Sequence, residues 1–308
     1  MKLFQNLKDI PPSLRGGAVS IGNFDGVHCG HARIIENLVA AAELVGGPAT
    51  VLTFDPHPVR LLRPGAAPPP LTWTKRKAEL LSRLGTDAII AYPTDEALLN
   101  LTPNQFFDQI LIKLLGAKAI IEGPNFFFGK DRTGNIEVLK TLCNTSRVTL
   151  SVVEPLQVGE AFISSSRIRK LIATGNVKTA HTMLSEPYRI RGMITHGAGR
   201  GAKIGIPTAN IDAVDTLLPA QGVYAGRAFL HDSVWPAAIH IGPNPTFGED
   251  VLKVETHIIG FQGSIYGDPL EVDFLERLRD IHPFASIEEL KAQLQRDIHK
   301  VGELVKQK

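Results

Sequence analysis

The sequence predicts two domains of different class: an α/β domain with a parallel sheet, followed by a mostly antiparallel β domain. Three observations predict this. The chain has 308 residues, and at roughly 150 residues per domain that length suggests two. Up to about Val153, short apolar runs alternate with segments of helical period, the pattern of a parallel sheet covered by helices on both faces. After Glu186-Pro187 the strand-like runs lie close together between Gly- and Pro-rich turns, which suggests an antiparallel barrel or sandwich. The boundary is expected near residue 185, giving domains 1–185 and 186–308.

In the first half, strands are expected over Ala18–Ile21, Ala49–Phe54, Ala88–Tyr92, Ala119–Ile121 and Val148–Val153. Each is an apolar run too short for a helix. Ile34, Ile35, Leu38, Val39, Ala42 and Val45 recur at helical spacing, and further helices are expected around Lys75–Leu84, Asn104–Leu115 and Ile136–Leu142. Arg63–Pro70 carries four prolines and reads as a loop. Ser164–Thr174 reads as a helix stopped by Gly175, and Asn176 opens another that runs to Met183. In the second half, strands are expected over Tyr188–Thr195, Val223–Leu230, Pro236–Ile241, Leu252–Ile259 and Leu270–Phe274. A closing helix, Ile287–Val305, follows a capping box of Ser286 and Glu289.

Composition removes several classes. Hydrophobic residues make up 44% and charged residues 21%, ordinary globular usage that disfavours disorder, collagen and coiled coil. Lys+Arg is 33 against Asp+Glu 31, a net charge of +2, which gives no global attraction to nucleic acid or membrane but leaves room for a local anion pocket. Two cysteines, Cys29 and Cys143, are too few for a disulfide framework or a structural zinc site, and they suit a reducing cytosol. No run approaches the roughly 18 apolar residues of a membrane span. Asp9, Pro11 and Pro12 interrupt the first segment early, against a signal peptide, so a cytoplasmic protein is expected.

The strongest local signal is GNFDGVHCGH, residues 22–31, between the first strand and the first helix. An open α/β sheet binds ligands at such a junction, where a strand ends and helix N–H groups point outward. His28 and His31, three apart at a helix start, can face one point, and Gly30 lets a ligand approach the backbone. Imidazoles beside helix N–H groups can stabilise charge on a phosphoryl group. The spacing resembles that of the His-x-Gly-His nucleotidyltransferases, which transfer a nucleotide from ATP and release pyrophosphate.

Ser165, Ser166 and Arg167 offer hydroxyls and a guanidinium at a second helix start, a phosphate-binding set. Asn125 and the phenylalanines 126–128 form a glycine-flanked loop suited to a flat aromatic ligand. Asp55 and His57 follow the second strand, where shaping a turn is their ordinary role. Gly197–Ala202 superficially fits a dinucleotide fingerprint, but Gly205-Ile206-Pro207 follows where a helix is needed. A glycine-rich flap over phosphates remains, with Arg200 and Lys203 supplying charge. Thr208 and Asn210 alternate with Ala209, so in an extended segment their oxygens face one way and suit Mg²⁺ held together with nucleotide phosphates. In the alternating run 252–259, Leu252, Val254 and Ile258 share one face, and Lys253, Glu255 and His257 share the other. Glu255 could accept a hydroxyl proton there.

Taken in order, GNFDGVHCGH, FDPHP, FFFGKDRTG, ISSSRIR, RGAKIGIPTAN, GVYA, IGPNPTFG, VETHI, IYG and LRDIHPF resemble the prokaryotic bifunctional riboflavin kinase/FAD synthetases over about Gly17–Asp297. The resemblance implies a Rossmann-like N-terminal adenylyltransferase that makes FAD and pyrophosphate from FMN and ATP. It also implies a C-terminal six-stranded flavokinase barrel that makes FMN and ADP from riboflavin and ATP, with Mg²⁺ required by both. By motif, His28 and His31 would stabilise the adenylyl transition state, with Gly22, Asn23, Phe24, Asp25 and Gly30 around the nucleotide. Ser165, Ser166 and Arg167 would hold phosphates, and Asn125 and Phe128 would meet the flavin. In the barrel, Thr208 and Asn210 would serve Mg·ATP, Arg200 and Lys203 its phosphates, Glu255 would be the general base, and Arg279 would lie near the flavin. Three positions depart from the family pattern. Asn135 stands where Asp is usual, His240 where Asn is common, and Cys29 is an uncommon filler between the histidines. Three rival readings stand beside it: a single-function nucleotidyltransferase with a passive barrel, an RNA-binding or aminoacyl-tRNA synthetase-like protein, and a non-catalytic flavin sensor. The expected partners are riboflavin, FMN and ATP, with no nucleic acid and no membrane.

Overall fold

The structure is a computed structural model that describes residues 2–306 apart from 64, 66, 160, 198, 245, 247 and 248. The side chains of Arg200, Lys203, Glu249 and Asp250 also lie outside the described set. The chain divides into two compact units, 1–68 with 73–164, and 69–72 with 165–308.

In the first unit the strands are β1 (Lys2–Phe4), β2 (Ala18–Ile21), β3 (Ala49–Asp55), β4 (Ala88–Pro93), β5 (Ala119–Glu122) and β6 (Thr149–Val152). They form one parallel sheet in the order β1-β4-β3-β2-β5-β6. The helices are α1 (Cys29–Val45), α2 (Pro58–Leu62), α3 (Thr74–Arg83), α4 (Glu96–Leu99), α5 (Pro103–Phe106) and α6 (Ile136–Ser146). Alternate residues of each strand enter opposite cores. Val19, Leu52, Ile90 and Ile120 pack with Phe106, Ile110 and Leu139, while Val51, Ile89 and Ile121 pack with Ile35, Leu38 and Leu81. Burial of both faces explains the continuous apolar runs in the strands.

The expected helix over Asn104–Leu115 differs in type. Thr102 and Gln105 close a capping box on α5, and the chain then winds more widely as a π-helix over Phe107–Leu114. β1, α2, α4 and a small hairpin, β7 (Gln157–Val158) with β8 (Ala161–Phe162), had no sequence signal. Each is a turn or a three-residue edge, too short for a period to register.

The second unit begins with α7 (Ser165–Ala173) and α8 (Val177–His181). It then builds a closed barrel from β9 (Tyr188–Thr195), β10 (Ala209–Asp212), β11 (Gly222–Leu230), β12 (Ser233–Asn244), β13 (Glu249–Ile258) and β14 (Pro269–Arg279), in the order β10-β13-β12-β11-β14-β9. Closure, the step that decides barrel over sandwich, comes from β9 pairing with both β10 and β14. One turn of helix, α9 (Arg200–Lys203), sits within the glycine-rich segment, and no helix follows at Gly205-Ile206-Pro207. The closing helix α10 (Ile287–Lys306) lies against β11 and β12. Ser286 Oγ caps the Glu289 N–H at 3.2 Å, and Glu289 reaches back to the Ala285 N–H instead of the Ser286 N–H.

The division at 164/165 places α7 and α8 with the barrel unit, while the barrel's first strand starts at Tyr188, close to the boundary read from sequence. Residues 69–72 also belong to the second unit. Pro69 O accepts from Arg169 Nε at 3.0 Å, and Pro70 O accepts from the Leu217 N–H at 3.0 Å.

Candidate active sites

In the first unit the strand order reverses direction between β2 and β5, and this is where open α/β sheets bind ligands. β2 ends at Ile21, and the loop 22–27 turns into α1. Phe24 and Val27 hold positive φ values of 45° and 42°, strain that non-glycine residues keep only where the surroundings dictate it. Phe24 is buried and meets the His31 ring edge-on at 5.1 Å.

His28 is the N-cap of α1, its Nδ1 accepting from the His31 N–H at 3.2 Å. A neutral His28 therefore carries its proton on Nε2. The two rings stack, centroids 3.5 Å apart and planes 14° from parallel. Burial pulls His28 down to about 4 and His31 well below 6.5, the latter helped by His28 and Lys77 nearby. Both rings are thus neutral hydrogen-bonding groups at neutral pH. The first turn of α1 holds no acidic residue, so its positive end is open to an anion. His31 Nδ1 and Asn23 Oδ1 are buried and find no partner among the described residues, an arrangement that a polar ligand would satisfy.

Sequence reasoning missed the ionisable side chains buried in the floor of this site. Lys77 on α3 is buried, its Nζ 3.3 Å from Thr53 Oγ1, whose hydroxyl also meets Asn23 O at 3.2 Å. Burial lowers the Lys77 pKa, and Asp25 and Asp55 oppose that. Asp55 also accepts from Thr74 Oγ1 at 2.5 Å. Glu122, at the end of β5, accepts from the Ile21 N–H at 2.6 Å, and burial raises its carboxyl well above the usual range. A lysine beside Arg76 at a helix start reads as solvated, and only packing reveals that it is not. His57, by contrast, caps α2 through Nδ1 to the Val59 N–H at 3.1 Å, a turn-shaping role.

In the aromatic loop, Asn125 is exposed, but Phe128 is 5% exposed and stacks on Phe126 in the core. Phe128 therefore supports the loop from beneath, and Phe127 is the ring that faces solvent. Asn135 caps α6, its Oδ1 accepting from the Val138 N–H at 3.0 Å, so it does locally what an aspartate would. Ser165, Ser166 and Arg167 open α7 in the second unit.

The second unit has a cleft of ≈ 1120 Å³, its open mouth included, between the barrel wall, the glycine-rich segment and α10. Register builds its floor. Asn210 pairs with Glu255, Glu255 with His240, His240 with Val223, and Val223 with Arg279. Directly paired residues share a face, so one row crosses five strands and puts these side chains on the outer wall. Val254, Thr256 and Ile258 point inward and are buried; Leu252, expected with them, is half exposed beyond the last continuous pairing.

Thr208 and Asn210 lie on the same side with Ala209 buried between them. Gly197 passes so close that a Cβ there would lie 2.1 Å from Asn210 Nδ2 and would force the Asn210 amide to shift. Gly199, Gly201, Thr208 and Asn210 all line the cleft. The side chains of Arg200 and Lys203 fall outside the described residues. Glu255 Oε2 accepts from Asn244 Nδ2 at 3.2 Å, and His257 Nδ1 donates to Pro207 O at 2.7 Å. Arg279 reaches Asp297 on α10 and stands 5.6 Å from the Phe284 ring. Asn244 falls within IGPNPTFG but was given no role there, and Asp297 had no motif to announce it.

Among the described residues no group of three or more His, Cys, Asp or Glu could hold a metal ion, and no helix is long and apolar enough to cross a membrane. Thr208 and Asn210, neutral oxygen donors under the glycines, suit a hard cation that brings phosphate oxygens with it.

Residues 10–167 match the FAD synthetase family and 184–305 the riboflavin kinase family. The bifunctional riboflavin kinase/FMN adenylyltransferase of Pseudomonas fluorescens is 32% identical over 299 residues, 97% of this chain and 96% of that one. Its Bacillus subtilis counterpart is 32% identical over 284 residues, 91% and 89%. A crystal structure from Streptococcus pneumoniae, described as a macrolide-efflux protein, superposes with a TM-score of 0.83 at 32% identity, covering 96% of both chains. With two family matches in tandem and relatives aligned over nearly its whole length, this chain belongs to the bifunctional riboflavin kinase/FMN adenylyltransferase family.

Proposed function

We propose that this enzyme makes FAD from riboflavin in two ATP-dependent steps, one in each unit. One observation carries the division: His28 and His31 lie in the first compact unit, while Thr208, Asn210 and Glu255 lie in the second. In the second unit, Glu255 accepts the proton of the riboflavin 5′-hydroxyl as that oxygen attacks the γ-phosphorus of ATP, and ADP leaves. Asn244 holds one carboxylate oxygen of Glu255, and Arg279 borders the flavin. Thr208 and Asn210 would hold Mg²⁺, which when bound neutralises phosphate charge. Arg200 and Lys203 in the glycine-rich flap add positive charge.

In the first unit, an FMN phosphate oxygen attacks the α-phosphorus of a second ATP, and pyrophosphate leaves. His28 and His31 act as neutral hydrogen-bonding groups on the charge that develops, as their lowered pKa values require. Lys77 adds a buried amine whose Nζ lies on Thr53 Oγ1, and the N–H groups of α1 add their dipole. Gly22, Asn23, Phe24, Asp25 and Gly30 shape the nucleotide pocket. Asn125 meets the flavin, and Phe128 braces that loop; Ser165, Ser166 and Arg167 open α7 in the second unit, and their phosphate-binding role comes from the motif alone. The enzyme works in the cytoplasm, where ATP is supplied and both cysteines stay free thiols.

The test is chromatography of a riboflavin and Mg·ATP reaction, in which FMN should appear before FAD. Glu255→Gln should lower FMN formation by about 100-fold or more and leave FMN-to-FAD conversion intact. Loss of both activities, or FMN formation at the unaltered rate, would refute the assignment of Glu255.

A further inference from the structure

We propose that His240 is a positioning residue that holds Glu255 in its working orientation, an inference that rests on the base role given to Glu255 above. Three observations converge on it.

First, β12 and β13 pair His240 directly with Glu255. Such cross-strand partners keep their Cβ atoms about 4.5–5.5 Å apart on the same face. His240 lines the same cleft as Glu255.

Second, the tautomer of the ring is determined. Its Nε2 lies 3.1 Å from Pro243 O. A carbonyl oxygen only accepts, so Nε2 carries the hydrogen and donates. Burial holds the His240 pKa below its ordinary value, partly offset by Glu255 and by the carbonyls of Pro243 and Gly242, while Arg279 acts in the same direction as burial. The other charged and titratable groups that line the cleft with His240 are Glu255 and His257 on β13, Arg279 on β14, His282 between β14 and α10, and Asp297 on α10, which pairs with Arg279.

Third, the bond spans an irregular stretch. The β12–β13 register shifts between Gly242 and Asn244, so the ladder does not fix the end of β12 by itself. His240 ties that end down at Pro243, and the next residue, Asn244, donates to Glu255 Oε2 at 3.2 Å. The ring fixes the strand end, and the strand end fixes one oxygen of the carboxylate. Without the ring, Glu255 keeps its chemistry and its substrates but spends less time aimed at the hydroxyl. This loss affects turnover more than binding.

The experiment compares full-length wild type, His240→Ala, His240→Gln and Glu255→Gln, measuring riboflavin phosphorylation and, in the same preparations, FMN adenylylation as a control for intact protein. His240→Ala should lower kcat for FMN formation by about 10- to 100-fold, with KM for ATP within about twofold of wild type and adenylylation unchanged. Gln offers an amide N–H at a reach similar to Nε2, so His240→Gln should recover to within about threefold of wild type. Unchanged kcat in His240→Ala, a raised KM with unchanged kcat, or failure of Gln to restore turnover would overturn the proposal. Glu255→Gln separates the two readings. If it phosphorylates riboflavin normally, the base assignment fails. If it is inactive while His240→Ala turns over normally, the positioning role alone fails.

Discussion

Arg279 directs Nε and Nη2 at one oxygen, Oδ2 of Asp297, at 3.0 and 2.9 Å, and so ties the last barrel strand to the closing helix. Both side chains are largely buried, and Gln293 Nε2 occupies the other oxygen, Oδ1, at 2.8 Å. A buried pair adds little net stability compared with an apolar pair, but removing one partner strands the other charge. Asp297→Ala should therefore destabilise the barrel unit by about 3–5 kcal/mol, read as a shift of its urea midpoint. The double variant Arg279→Met with Asp297→Leu should recover part of that loss. The single variant should also raise KM for riboflavin, because Arg279 faces the cleft. An unchanged midpoint in Asp297→Ala would mean that the pair is solvated.

The His28 ring makes stability depend on pH. Its pKa is about 4 in the folded protein against 6.5 ordinarily, with burial as the main cause. The unfolded chain therefore binds the proton first. The His28 contribution is undiminished above about pH 6.5 and is lost as pH falls toward 4, at about 1.4 kcal/mol per unit and on the order of 3 kcal/mol in total. His28→Asn keeps an N-cap oxygen and removes the titration. Its stability at pH 7.5 should match wild type, its loss between pH 6.5 and 4 should be shallower, and its FMN adenylylation should fall about 100-fold. Denaturant titrations across that range check the slope, and identical slopes would show that the ring titrates normally.

Gly197 leaves room for the Asn210 amide by lacking a Cβ. A methyl group there would meet Asn210 Nδ2 at 2.1 Å and push aside either the flap or the amide. Gly197→Ala should lower kcat/KM for ATP in the kinase reaction at least about tenfold and leave FMN adenylylation unchanged. Steady-state kinetics of both reactions on one preparation decide it.

Much of the fold is legible in one dimension. The parallel strands stand out as apolar runs because both faces are buried, so Val51 and Leu52 are equally apolar although they enter different cores. The GNFDGVHCGH junction is legible because a loop, a cap and two ring positions lie within ten residues. Lys77 and Glu122 were not legible, because nothing in a lysine's neighbours along the chain says that it will be buried. The π-helix after Phe106 was not legible either, since its apolar spacing also fits an α-helix.

By itself the sequence determined the class of each half, most strand positions, and the residues able to do chemistry, because these depend on periodicity and side-chain type. Periodicity left barrel or sandwich open, the family resemblance implied a six-stranded barrel, and the pairing of β9 with both β10 and β14 closes it. Only the tertiary structure placed Asn210, Glu255, His240 and Arg279 in one row, with Asn244 on the carboxylate and Asp297 behind the guanidinium. The physical reason is register. Which side chains meet across strands, and how much water they exclude, is a property of pairs tens of residues apart, and no local pattern records it.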